Sequence, residues 1–205
     1  MGYSNKYQWI LVPENLPTVI RNCPKCNEKM HFINSEKFRV NANKNNLDIW
    51  LIFQCEKCKS TWNMTIYDRI NSFYIKKEEY EKFLANDRNL VKQYAFNLSL
   101  YTKIKAEVTL NNINYKLISE KLDAIYINED ELVIEMNCKY PMELRIDKLL
   151  CDKLLLSRSK IKSLHKSGLI FINDNKNCLT TKVKDGLELH VLKVTENGKL
   201  LKAII

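Results

Sequence analysis

The chain has 205 residues, 45% of them hydrophobic, and a net charge of +9, which supplies enough apolar material for packed cores and excludes a mainly disordered chain. Only 4 Gly and 4 Pro are present, so long Gly/Ser-rich or Pro-rich linkers are excluded and boundaries must fall at short turns. No apolar run approaches the roughly 20 residues a membrane helix requires, and the opening MGYSNKYQWI lacks the basic-then-apolar order of a signal peptide, so a cytoplasmic location with no membrane partner is expected.

The first informative elements are Cys23-Pro24-Lys25-Cys26 and Cys55-Glu56-Lys57-Cys58, two C-x-x-C knuckles separated by 28 residues. Four thiolates complete a tetrahedral coordination shell and leave no position for water, so the spacing predicts one structural zinc ion held by Cys23, Cys26, Cys55 and Cys58. A thioredoxin-like redox role needs one such pair ahead of a helix, which this pattern does not offer. Between the knuckles Phe38 and Val40 alternate with polar residues, Asn43 to Asn46 form a turn, and Leu47 to Gln54 is a second strand, with Thr61 to Tyr67 a third. The arrangement looks like a zinc ribbon over residues 1–72, a sheet expected to be too small to fold without its metal. Trp50, Phe53 and Trp62 are expected to cover one face of it, and His31 is expected to be an ordinary hairpin residue.

Over residues 73–140 the pattern predicts helix at Glu78 to Leu84 and from Asp87, a candidate N-cap, to Leu100, with Leu90, Val91, Tyr94, Ala95 and Leu98 on the inner stripe. After Val108 the period shifts toward two, and Ala124 to Asn128 and Glu131 to Asn137 flank an Asn-Glu-Asp turn as a hairpin. The carboxylates Glu129, Asp130 and Glu131 at that turn are expected to face solvent. Cys138, Cys151 and Cys178 are widely spaced and expected to be small buried residues that stay reduced.

Residues 141–205 carry a net charge of +6, against +4 over residues 1–64 and −1 over 65–140. Ile146, Leu149, Leu150 and Leu154 form a helical stripe, Ser157 caps a second helix with Ile161 and Leu164 inward, and Gly168 stops it. Leu169 to Asn173 and Leu187 to Val194 read as strands, with turns at Asp174-Asn175 and Asp185-Gly186. The run Arg145-Ile146-Asp147-Lys148-Leu149-Leu150, then Ser157-Arg158-Ser159-Lys160, then Lys166-Ser167-Gly168-Leu169-Ile170-Phe171-Ile172-Asn173 resembles the S-four RNA-binding domain, over about 50 residues. The sequence departs from that family at Leu154, Ile161, His165 and Asp174, and His165 is expected to be partly covered with a backbone partner. The resemblance implies that Arg145, Lys148, Arg158, Lys162 and Lys166 contact RNA phosphates, with Lys160 and Lys182 as further contacts.

A four-cysteine ribbon followed by an S-four-like module also resembles a bacterial family known as domain of unknown function ten-sixty-two, which implies an architecture and no activity. The expected fold class is therefore α+β: a four-cysteine zinc ribbon over 1–72, a helical then β-hairpin connecting region over 73–140, and an S-four-like module over 141–205. The expected function is a non-enzymatic, zinc-stabilised protein that binds structured RNA or the ribosome through a basic helix pair. The alternative is a protein-interaction adaptor with a structural zinc ribbon and no nucleic-acid binding. No Gly-rich phosphate loop, nucleophile elbow or paired-carboxylate signature points to an enzyme.

Overall fold

A computed structural model describes residues 5–122, 131–172 and 179–192. The chain divides into two compact units, one formed by Asn15–Asn112 and the other by Met1–Glu14 together with Ile113–Ile205.

In the unit Asn15–Asn112, strands β2 (Thr18–Cys23), β3 (Glu28–Asn43), β4 (Asn46–Cys55) and β5 (Thr61–Asn71) follow one another as antiparallel neighbours. The short β6 (Glu107–Thr109) pairs with β2 and completes the order β5-β4-β3-β2-β6. The period-2 pattern of β4 decides its orientation: Leu47, Ile49, Leu51, Phe53 and Cys55 are all buried, while the residues between them are not. Against this face pack α1 (Lys77–Leu84), α2 (Arg88–Ala95) and α3 (Leu98–Lys103), which contribute Phe83, Val91, Ala95 and Tyr101 to the core. Asp87 caps α2 by accepting from the Leu90 N–H at 2.8 Å. The single helix expected from Asp87 to Leu100 is broken at Phe96 and Asn97, and Asn97 becomes the N-cap residue of α3.

The other unit holds a second five-stranded sheet in the order β7-β1-β8-β10-β9. Its strands are β1 (Asn5–Pro13), β7 (Tyr115–Lys121), β8 (Glu131–Asn137), β9 (Ile170–Ile172) and β10 (Glu188–Leu192). β1 runs parallel to β8 and every other pairing is antiparallel. Helices α4 (Ile146–Leu154) and α5 (Arg158–Lys166) belong to the core of this unit, where Ile146, Leu150 and Ile161 join Trp9, Leu11 and Ile134. Ser157 caps α5, and Gly168 leaves it at φ +72°. α4 ends on Leu155 in the left-handed region, φ +54° and 89% exposed, the conformation for which glycine is usual. His165 is half-buried with Nδ1 2.8 Å from the Ile170 carbonyl oxygen.

The α+β architecture read from the sequence is corrected by these two sheets. The chain is β-rich, and its few helices are short elements laid against sheet cores. An S-four-like module cannot stand alone at 141–205, because β10 is paired to β8 on one side and β9 on the other, and Trp9 and Leu11 complete the core beneath its helices. Nor is the thiol-bearing part a minimal ribbon: β3 alone is 16 residues long and the sheet has its own helix-covered core. The division falls after Glu14 and after Asn112, not at 72 and 140, since β1 pairs with β7 and β8 while α1 to α3 stay with the first sheet. Trp62 lies opposite Phe53 with ring centroids 5.4 Å apart, whereas Trp50 points to the other face under Arg39. The expected strand at Ala124 to Asn128, the turn at Asp174-Asn175, Glu129, Asp130, Cys178 and the end of the last strand at Val194 lie outside the described residues. Among the described residues no helix is long and apolar enough to cross a membrane.

Candidate metal centre

The two cysteine knuckles are built alike. Cys23 ends β2, the chain turns through Cys26, and Asn27 at φ +56° donates its N–H to the Cys23 carbonyl at 2.8 Å. Cys55 ends β4, the chain turns through Cys58, and Lys59 at φ +60° donates its N–H to the Cys55 carbonyl at 3.0 Å. Strand pairing then brings the knuckles together: Glu28 on β3 lies opposite Cys23, Phe32 on the same strand lies opposite Cys55, and the Glu56 N–H donates to the His31 carbonyl at 3.0 Å.

The result is a cluster in which all four sulfurs lie within 4.8 Å of one another. Cys23 and Cys58 are 3.5 Å apart at sulfur and Cys26 and Cys55 are 3.9 Å apart. A tetrahedron with metal–sulfur bonds of about 2.3 Å has an edge of about 3.8 Å, so these separations fit four ligands around one ion. All four residues are free thiols, Cys23 and Cys55 fully buried and Cys26 and Cys58 half-buried. His31 is exposed and is not a member of the cluster.

Ser60 was not singled out in the sequence, yet its Oγ sits 3.2 Å from the Cys23 sulfur and 3.1 Å from the Cys58 sulfur. A hydroxyl so placed donates to a thiolate and stabilises it. The Ser60 hydroxyl accordingly holds Cys58 down to about 6 and lowers Cys23 as well, while burial pushes Cys26 up to about 12. The only sequence signal for Ser60 is its position two residues beyond Cys58. Lys57 donates to Glu28 at 2.8 Å, tying one knuckle to the residue that follows the other, and this hydrogen bond raises the Lys57 ammonium. Four thiolates around a divalent ion carry two net negative charges, which Lys25, Lys57 and Lys59 on the knuckles oppose.

A family model described as protein of unknown function (DUF1062) matches residues 40–176. The chain belongs to this family. The match spans the second DUF1062 knuckle, Cys55 and Cys58, as well as α4 and α5, and begins beyond the first knuckle. No curated protein and no solved structure matches the DUF1062 chain.

Of the basic residues expected at an RNA surface, the structure separates two groups. Arg145 is drawn into a bidentate pair with the buried Asp147, its Nε 3.0 Å from Oδ1 and Nη2 2.6 Å from Oδ2. Lys182 faces Arg145 in an isolated β-bridge and pairs with Glu143. Lys148, Arg158, Lys160, Lys162 and Lys166 are exposed and make no ion pair among the described residues. Cys138 is buried, its thiol raised to about 12 by that burial, and Cys151 is half-buried and likewise raised.

Proposed function

We propose that this is a non-enzymatic zinc protein that binds the phosphate backbone of structured RNA, free or in the ribosome, through the outer face of α5. Zinc is the favoured ion because four thiolates at tetrahedral spacing suit a borderline-soft cation without geometric preference, and the closed shell makes its role structural. The observation that carries the RNA reading is the composition of α5: a nine-residue helix, RSKIKSLHK, with no acidic side chain and with Arg158, Lys160, Lys162 and Lys166 all exposed. Lys148 on α4 adds a fifth cation, whereas Arg145 and Lys182 are engaged with carboxylates and are not assigned to the surface. Phosphate contacts of this kind give affinity with little sequence preference.

Filter binding to structured RNA across a salt series tests the reading. Neutralising about four or five phosphates makes log K fall against log salt with a slope of roughly −3 to −4. Reversal of charge at Arg158 and Lys162 is expected to abolish retention, and wild-type protein that fails to retain RNA at low salt overturns the proposal. The adaptor reading draws on a different observation, Phe73 and Tyr74 at 90% and 78% exposure on the turn after β5. It gains ground if the native partner is a protein whose binding survives the α5 charge reversal and is lost on Phe73→Ser.

A further inference from the structure

β7 lies at one edge of its sheet, paired with β1 on one side and with no strand on the other among the described residues. Its pairing with β1, from Tyr115 against Pro13 to Lys121 against Tyr7, runs without a register shift, and the strand contains neither Pro nor Gly. The edge strand β5 of the other sheet is different: its pairing with β4 shifts register and Arg69 stands at φ +47°, irregularities that keep an edge from being extended. Nothing of the kind interrupts β7. Two hydrogen bonds fix which of its backbone groups face outward: the Glu14 N–H donates to the Asn114 carbonyl and the Leu122 N–H donates to the Lys6 carbonyl, both at 2.9 Å. Antiparallel pairs alternate, so the even-numbered residues between these two turn their N–H and C=O toward β1, and Tyr115, Leu117, Ser119 and Lys121 turn theirs outward. Lys116, Ile118 and Glu120 project from one face of the strand, and all three are exposed. Lys116 and Glu120 make no ion pair among the described residues, and four positions apart on an extended strand they lie about 13 Å from each other.

We propose that β7 pairs with β7 of a second copy of this chain, antiparallel about a two-fold axis beside Ile118. Outward backbone groups must meet outward ones, so odd-numbered residues face odd-numbered residues, which admits centres at Leu117, Ile118 or Ser119. Of these, the centre at Ile118 alone sets Lys116 against Glu120 of the partner, and by symmetry Glu120 against the partner's Lys116. It sets Ile118, 37% exposed, against its own copy in a pair without direct hydrogen bonds, the kind in which Cα atoms approach to about 4.5 Å and side chains pack closest. Leu117 then faces Ser119 of the partner and Tyr115 faces the partner's Lys121, so the outward N–H and C=O groups of the strand find partners. Charged side chains on an edge strand oppose pairing unless the register matches them, and β7 carries its own match. The inference rests neither on the metal nor on the RNA reading of α5.

Sedimentation equilibrium of the full-length, metal-loaded chain tests the pairing. Wild type is expected to show a monomer–dimer equilibrium at concentrations up to about 100 µM. Lys116→Glu sets a carboxylate against Glu120 and Glu120→Lys sets an ammonium against Lys116, so each variant alone should dimerise about tenfold or more weaker. An equimolar mixture of the two variants restores both opposite-charge pairs in a heterodimer and is expected to recover the wild-type affinity. Both positions are exposed, and recovery on mixing shows that the loss does not come from misfolding. Charge reversal at Arg158 and Lys162 is expected to leave the dimer intact, so this inference and the RNA reading fail independently. Wild type that stays monomeric at about 100 µM overturns the inference and leaves the edge open to a strand of another protein. Single variants that self-associate as tightly as wild type overturn it by placing the contact elsewhere, and a mixture that fails to recover overturns it by refuting the register.

Discussion

The two units solve the same problem, a five-stranded sheet covered by short helices, by opposite routes. In Asn15–Asn112, strands β2 to β5 pair in the order in which they occur, so each pairing closes only a short loop. In the other unit β1 pairs in parallel with β8, Tyr7 against Ile134, with the whole first unit lying between them in the chain. Loop-closure entropy rises with the length closed, so the second sheet is expected to form its central pairing later, and core packing around Trp9 and Ile134 surrounds that pairing. The four-cysteine cluster therefore stands where sequence-local pairing already does most of the organising, at one end of a sheet whose core takes in Cys23 and Cys55 themselves.

The largest expected effect sharpens that contrast. Cys55→Ala removes one of four ligands and is expected to reduce bound metal from one equivalent to none by elemental analysis, forfeiting a binding term on the order of 10 kcal/mol. Hydrogen exchange should then accelerate at the knuckles, whereas Ile49, Leu51 and the strands of the other unit stay protected; global unfolding of the first sheet would restore the ribbon view. Trp9→Ala should destabilise the unit built around β1 by about 3–5 kcal/mol in urea titration, and a simultaneous loss of metal would break the separation drawn between the units. Ser60→Ala, which removes the hydroxyl shared by Cys23 and Cys58, is expected to weaken metal affinity about 10- to 100-fold by chelator competition. Leu155→Gly should stabilise α4 by about 1 kcal/mol, since the residue sits at φ +54° with its side chain exposed. Its unfolding midpoint in urea is the check.

The smallest expected effect is on the alkaline limb. Burial, aided by Asp152, pushes the Tyr115 phenol up to about 12. The folded state holds that proton longer than the unfolded chain does, so its contribution to stability is complete below about pH 10 and is lost as pH rises through about 12. Tyr115→Phe should flatten the decline between those values in a pH series of unfolding curves, and an unaltered limb would remove Tyr115 from the explanation.

Local features were legible because local physics produces them. The C-x-x-C turns, the alternation along β4, the Asp87 and Ser157 caps and the stop at Gly168 all depend on residues a few positions apart. The strands β1 and β7 escaped notice because what makes them central is a partner more than a domain away, and the run 141–205 was read as a module because its missing strands are supplied from elsewhere. At the candidate site the four clustered cysteines were readable from spacing. Ser60 was not, since no motif marks a side chain that matters only after the knuckles at the ends of β2 and β4 have been brought together.

By itself the sequence determined the four cysteines that cluster, the helix limits around α4 and α5, and an outward basic face, since each follows from spacing, capping and amphipathic period. Tertiary structure alone decided that these pieces belong to two sheets and not to a ribbon and a separate helix-pair module. It also decided which cations remain free of carboxylates. Strand partnership and ion pairing are settled by which distant surfaces bury the most apolar area together, and that is a property of the packed chain and not of any segment within it.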